Sequence, residues 1–337
     1  MKPEISRGVT DLEIKDADVD AVQSKPKRHR QWGGALIGLL LGISGLIAGR
    51  LGQLYPAFDV FAQFGAQFIF LVFAFAIATF MPRFKGLIGI ILAIIFCVVY
   101  GAWPIYQSSD VTKGPFPMVN GERAIRVAHF NIHYANKNVE AVTKEVARLD
   151  ADVVTLIEFD ISKKPLLFKL RQQYPFQYDC TDINNCEFAI LSKQPILAVS
   201  GRGYWKGPPF ISARLGGTLT GLTVYGVHTT RFPHSRAQLT QINEFIRHLE
   251  GQSGNLLVMG DFNATPFSRI TTTLEKGAGL TRLTQLPTWP TTYGLPQLAI
   301  DHIFASDGIR VLADQQIGNA AGSDHFPIVM TLAIKPQ

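Results

Sequence analysis

The chain has 337 residues, a formal net charge of +6 and a mean hydropathy of +0.15. Its apolar residues are unevenly spread: 1–30 are polar, 31–106 overwhelmingly apolar and 107–337 mixed, which excludes a single soluble domain. From residue 115 onward 21 Lys and Arg face 18 Asp and Glu, too weak an excess for a dedicated nucleic-acid binder with a concentrated basic face.

The amino-terminal tail, 1–30, is acidic on balance up to residue 24 and ends in the basic block KPKRHR. A membrane unit over 31–106 follows. Spanning a bilayer takes roughly 20 apolar residues, and three runs meet that length, predicting transmembrane helices at about 32–54, 58–81 and 86–106. The third ends in Tyr100, Trp103 and Tyr106, an interfacial aromatic belt. The late start of the first run, with two more behind it, argues against a cleaved signal peptide. KPKRHR and the Arg83/Lys85 loop fall on one side of three crossings, so the positive-inside rule places the tail in the cytoplasm. The remainder of the chain then lies outside, in a periplasm or extracellular space, carried by a multi-pass protein of the plasma (inner) membrane. Gly34, Gly38, Gly42, Gly45 and Gly49 let the first helix approach a neighbour closely. That neighbour is either a second copy or, more simply, the chain's own other helices.

Residues 107–122, rich in Pro, Gly and polar side chains, form a linker. The domain from 123 to 337 is about 220 residues, enough for a sizeable core. AIRVAHFNIH (124–133) alternates as a strand. KNVEAVTKEVARL (137–149) has helical spacing, ADVVTLIE (151–158) is a buried strand, and KKPLLFKLRQQY is a helix. EFAILSK and ILAVSGR read as a strand pair around Gln194-Pro195, with FISARLGG and LTVYGVHT as further strands. SRAQLTQINEFIRHL (235–249) is an amphipathic helix. NLLVMGDF, LAIDHIFAS, IRVLADQQI and FPIVMTLAI complete the strands. Hairpins mixed with strand–helix–strand units predict an α/β layered fold of mixed sheets. Cys180 and Cys186 flank TDINN, and a pair closing so short a loop points to a disulfide in an oxidising compartment, the alternative being two free thiols.

Polar residues recur at the expected carboxyl ends of these strands: Asn131, Glu158, His228, Asp261 with Asn263, Asp301, and Asp324 with His325. Sites in layered α/β folds gather at strand ends. On an extended chain Asp261 and Asn263 point to the same side. Acids, amides and imidazoles together suit a hard, oxygen-loving cation, Mg2+ or equally Mn2+. Taken singly, each has a bland reading as a turn residue or a satisfied histidine at the core edge; the ordered set does not.

FNIHYAN, LIEF, GVHTT, GDFNATP, IDHIFAS and SDHFP, in that order over 124–334, resemble the endonuclease/exonuclease/phosphatase superfamily, of which DNase I-like nucleases are members. The resemblance implies a four-layer α/β/β/α sandwich of two mixed sheets. It implies that Glu158, with Asn131 beside it and Asp324 helping, holds the metal. By the same resemblance Asp261 would position or activate the attacking water. Asn263 would hold that water or a phosphate oxygen, and His228 would stabilise the charged transition state. His325, oriented by Asp301, would contact the phosphate or move a proton. Where the family often has an aromatic residue after Asp301, this chain has His302. Arg231 and Asn136, with His133 and Tyr134, are candidate substrate contacts. The membrane unit resembles that of tethered branches acting on polyprenyl carrier phosphates. The expected activity is a membrane-tethered phosphoesterase on a lipid-linked envelope phosphate; the alternative is an anchored extracytoplasmic nuclease.

Overall fold

A computed structural model describes residues 27–81, 83–109, 117–119 and 121–335. The polar tail up to residue 26, the linker from 110 to 116 and the side chains of Trp103 and Tyr106 lie outside the described residues.

Four helices come first: α1 (Lys27–Leu51), α2 (Asp59–Ala62), α3 (Gly65–Thr79) and α4 (Lys85–Ser109). Gly33–Leu51 and Lys85–Ala102 are each long and apolar enough to cross a membrane. The middle run, expected as one helix over 58–81, is instead a pair bent by 58°, Pro56–Ala62 and Gly65–Thr79. The break falls where polar groups are spent on the globular domain. Asp59 and Gln63 are buried against it, and the Ala62 carbonyl accepts from Thr265 Oγ1 at 3.2 Å. The α1 glycines face the chain's own other helices: a Cβ on Gly42 would come within 2.8 Å of Val72 in α3, and one on Gly49 within 3.3 Å of Ala62 in α2.

The domain contains β1 (Arg123–Asn131), α5 (Val139–Leu149), β2 (Val153–Ile157), α6 (Lys164–Leu170), β3 (Phe176–Asp179), β4 (Phe188–Ser192), β5 (Ile196–Arg202), β6 (Phe210–Leu215), β7 (Leu222–His228), α7 (Ser235–Leu249), β8 (Asn255–Asp261), α8 (Arg269–Ala278), β9 (Thr281–Arg282), β10 (Asp301–Ala305), β11 (Ile309–Ile317) and β12 (Ile328–Ile334). They form two six-stranded mixed sheets, β11-β12-β1-β2-β4-β3 and β5-β6-β7-β8-β10-β9. Period-2 alternation sorts the core. Val127, Val153 and Ile190 meet Ile211, Val224 and Leu257 between the sheets. Phe130 and Leu156 point the other way, under Val142, Val146 and Leu166 of α5 and α6. Tyr225 and Val258 likewise lie under Ile242, Phe245, Ile270 and Leu274 of α7 and α8. The result is the expected four-layer sandwich.

One expected pairing is absent. β4 joins β2 and β3 in the first sheet, whereas β5 joins β6 in the second. The Ser192 hydroxyl donates to the Gln194 carbonyl at 2.8 Å and accepts from the Gln194 amide at 3.0 Å, and Pro195 offers no donor, so the chain turns out of one sheet and into the other. Cys180 and Cys186 are joined in a disulfide buried at the core edge. Gly260 of β8 is needed where it stands, because a Cβ there would run into the Val227 carbonyl of β7.

Candidate active site

β1 and β2 run parallel in one sheet, β7 and β8 in the other. Their ends form one rim, where Asn131, Glu158, His228 and Asp261 converge. Asp301 and His325 reach that rim differently from the expectation: Asp301 begins β10, and Asp324 and His325 precede β12. Both strands are antiparallel to their neighbours, so their starts lie beside the ends of β8 and β1. Asp301 stands directly opposite Asp261 in register.

A hydrogen-bond chain runs inward from the rim. His325 Nδ1 lies 2.7 Å from Asp301 Oδ2, and its Nε2 lies 3.7 Å from Asp261 Oδ2. Asp301 Oδ2 also accepts from Thr288 Oγ1 at 2.5 Å, and Oδ1 meets His129 Nε2 at 3.1 Å. His129 Nδ1 is in turn 3.1 Å from Thr155 Oγ1. Burial opposes the charge on His325, but the carboxylates of Asp301 and Asp261 outweigh it and push the imidazole up to about 10. Burial also opposes the Asp301 anion; the flanking His325 and His129 overcome this and hold the carboxyl well below the usual range. Asp261 goes the other way: burial raises it, the His325 charge only partly offsets this, and the Asp301 charge adds to the rise.

Nearer the opening, Asn131 Nδ2 donates to Glu158 Oε1 at 3.0 Å and to Asp261 Oδ2 at 3.1 Å, bridging two carboxylates. The Tyr134 amide donates to Glu158 Oε2 at 2.6 Å. Burial raises Glu158, but the nearby His228 and these hydrogen bonds bring it below its ordinary value. His228 Nε2 is 3.6 Å from Asp261 Oδ2. Glu158 has a left-handed backbone, φ 59°, as do His133 at 60° and Asn263 at 46°. Three of the seven non-glycine residues with positive φ among the described residues thus line one opening, and backbone strain of this kind accompanies functional sites.

The donor set fits a divalent cation. Ligand atoms of Glu158, His228 and Asp261 lie within 4.8 Å of one another, as do those of Asp261, Asp301 and His325. Two carboxylates linked through a single amide leave negative charge that a hard cation would balance. Asp324 belongs to neither group. Its Oδ1 is 3.4 Å from His133 Nδ1 and its Oδ2 accepts from Trp289 Nε1 at 3.2 Å, placing it at the rim.

Asn263 does not continue an extended chain beside Asp261. Its amide N donates to Asp261 Oδ1 at 2.8 Å, turning the chain, and its Nδ2 donates to the Thr229 carbonyl at 3.0 Å. It still lines the opening, a cavity of about 610 Å³ that also holds Glu158, His228, Arg231, Asp324 and His325. Asn136 lies outside that lining, and its Nδ2 is bonded to the Ala321 carbonyl at 3.1 Å. Two residues escape a reading of the sequence, His129 and Thr288. His129 has a signal, lying two residues before Asn131 and hence on the same strand face. Thr288 has none.

The model of the Endonuclease/Exonuclease/phosphatase family matches residues 128–325, more than half the chain. The chain belongs to this family. Its members are metal-dependent hydrolases of phosphoester bonds, and the enzyme is one of them. Its fold is similar to that of an endonuclease/exonuclease/phosphatase from Beutenbergia cavernae, at 16% identity over 63% of this chain and 72% of that one, TM-score 0.50. It is also similar to a humanized D. rerio TDP2 bearing 14 mutations, at 16% identity over 62% of this chain and 98% of that one, TM-score 0.51. No curated protein matches the enzyme in sequence.

Proposed function

We propose that the enzyme is a membrane-tethered phosphoesterase that hydrolyses the phosphate ester or pyrophosphate of a lipid-linked cell-envelope substrate, of the polyprenyl pyrophosphate type. In this reading three segments, about 32–54, 58–81 and 86–106, cross the plasma membrane, and the domain from 123 to 337 lies outside. The observation that carries it is the position of the opening against the apolar helices. Phe232, which lines the cavity, meets Phe64 edge-on at 6.3 Å, and the Thr265 amide just past Asn263 donates to Gln63 Oε1 at 2.7 Å. A tether at the mouth of a site raises the effective concentration of a substrate confined to the same membrane.

The chemistry follows from the groups at the rim. Asp261, raised by burial, aligns and deprotonates the attacking water, with Asn263 beside it. His325, charged and oriented by Asp301, gives a proton to the leaving oxygen. His228 and Arg231 face the phosphoryl oxygens as their charge develops. Glu158 and Asn131, with Asp324 at the rim, would hold Mg2+ or Mn2+, which would neutralise phosphate charge when bound. The nuclease alternative lacks support in the cavity, where Arg231 is the one Lys or Arg among the lining residues; tracking a polyanion takes a charged groove.

The test is hydrolysis by purified full-length protein, with Mg2+ or Mn2+, of a polyprenyl pyrophosphate, a simple phosphodiester and DNA. Phosphate release from the lipid supports the proposal. Cleavage of DNA with no release from the lipid overturns it in favour of a nuclease.

A further inference from the structure

A second cavity, about 740 Å³, lies in the helical bundle. Its lining is almost wholly apolar and comes from α1, α3, α4 and the loop 290–297. At its far end α1 and α4 nearly touch, with a Cβ on Gly34 only 3.6 Å from the Gly86 Cα. From that crossing the helices diverge toward the domain. The groove follows one face of α4 from Gly86 through Ile90, Ala93 and Cys97 to Val98, a rise of about 18 Å at 1.5 Å per residue.

Its upper end is roofed by the loop 290–297, which is fastened at both ends. Gln297 Nε2 donates to the Cys97 carbonyl of α4 at 2.8 Å, and Gln67 Nε2 donates to the Gln297 carbonyl at 3.0 Å. Gly101 allows the close approach, since a Cβ there would come within 2.9 Å of Leu295. At the other end the Thr291 amide donates to the Asp324 carbonyl at 3.0 Å, and Trp289 Nε1 to the Asp324 carboxylate. Trp289 lines the catalytic cavity, and Pro290, its neighbour in the chain, lines the groove. The two cavities are therefore separated by one bonded step of a loop held to the catalytic rim.

We infer that the groove between α1 and α4 seats the hydrocarbon chain of a lipid phosphate whose head group occupies the catalytic cavity. The inference rests on the proposed lipid-phosphate activity and adds where the chain of that substrate lies. The helices come together at the Gly34–Gly86 crossing, and at the other end the groove abuts the site across Trp289–Pro290, so a chain that runs along it and passes that loop brings its phosphate to His325 and Glu158. Hydrocarbon gains nothing by moving from lipid into an apolar groove. The groove's contribution is instead to orient the chain, and orientation is what a phosphoryl transfer needs. Bulk lipid filling the same space is the rival occupant.

Two measurements on full-length protein in phosphatidylcholine vesicles decide it. In the first, a diazirine-tagged isoprenoid phosphate is photolysed with the H325A variant. The label is expected on α4 and α1 peptides lining the groove, displaced by unlabelled isoprenoid phosphate and not by the parent alcohol. Equal displacement by the alcohol, or labelling unchanged by added isoprenoid phosphate, assigns the groove to bulk lipid and overturns the inference. In the second, A93W narrows the groove while I95W puts the same bulk on the outward face of α4, where Ile95 is half exposed. A93W is expected to lower kcat/KM for farnesyl diphosphate at least tenfold relative to that for p-nitrophenyl phosphate, with I95W leaving the ratio at its wild-type value. An unchanged ratio in A93W also overturns it. If the wild-type protein hydrolyses no phosphate, the proposed function fails, and the photolabelling still decides the groove by itself.

Discussion

Asp59 accepts a hydrogen bond from Ser268 Oγ at 2.6 Å through Oδ2 and one from the Arg269 amide at 2.7 Å through Oδ1. A carboxylate in the apolar region thereby caps the first turn of α8, in the loop that leaves Asn263. Gln63 Nε2 braces the same carboxylate at 3.2 Å while Gln63 Oε1 holds the Thr265 amide. The helices and the catalytic rim are one bonded unit, and Asp59→Ala leaves several buried donors without an acceptor. Expected losses are about 2–4 kcal/mol of stability and about tenfold or more in kcat through displacement of Asn263. Thermal unfolding in detergent and a phosphoesterase assay check both. Asp59→Asn, which keeps one acceptor, is expected to lose less on each.

Glu158→Ala and His325→Ala each remove a charge from the site without removing a core contact. Asp301 keeps His129 and Thr288 when His325 is lost. Hydrolysis of a generic phosphoester is expected to fall about 1000-fold in each, with circular dichroism near wild type in both; the unfolding temperature stays near wild type in Glu158→Ala and drops in His325→Ala, which leaves the buried Asp301 and Asp261 carboxylates without their cation. Chelation of divalent cations is expected to do the same to the wild-type enzyme, reversed by added Mg2+ or Mn2+. Full activity in either variant would refute its assigned role.

The two sheets and their helices are legible in the sequence because alternation along Val127, Ala128 and Phe130 already states which face meets which layer. The site residues are legible by type and order. Strand direction is not, since whether a residue starts or ends a strand at a given rim depends on the neighbour it pairs with. Asp301 and His325 therefore arrive from antiparallel strands. Asp59 carries no local signature either: its partners are some 210 residues away, and an acid near a helix start reads as a loop residue. His129, buried inside AIRVAHFNIH, looks like any satisfied core histidine until Asp301 is placed beside it.

The Cys180–Cys186 bond closes a loop with a sequence separation of six. Loop-closure entropy for so short a ring predicts about 2 kcal/mol of stabilisation. Cys180→Ser with Cys186→Ser, or reduction of the wild-type protein, is expected to lower the unfolding free energy by that amount and leave turnover unchanged. The loop packs beside β5 at Gly201 and lies at the rim end of the sheets, where the Glu187 carbonyl accepts from the Phe159 amide, but none of its residues lines the catalytic cavity. Denaturant unfolding with and without reductant makes the measurement.

His302 occupies the position after Asp301 and is fully buried between Thr284 and Ala264. Its Nε2 is 2.8 Å from the Ala264 carbonyl, so the proton sits there, and Nδ1 is left to accept from Thr284 Oγ1 at 3.1 Å. Both ring nitrogens are satisfied by a neutral imidazole. Burial first, and the Arg282 charge second, push the ring down from 6.5 to about 3. The unfolded chain therefore binds a proton below pH 6.5 that the folded chain refuses until about pH 3. Stability is complete above pH 6.5 and falls as the solution is acidified through that window, by roughly 3 kcal/mol at pH 4 from this residue. His302→Phe cannot titrate. It sacrifices two hydrogen bonds at every pH, so its unfolding temperature at pH 7.5 is expected to be lower than wild type. Between pH 6.5 and 4 its curve is expected to be flatter, and the two proteins should converge toward the acid end. Parallel curves over that range would show that His302 is not the group that loses its fit on protonation.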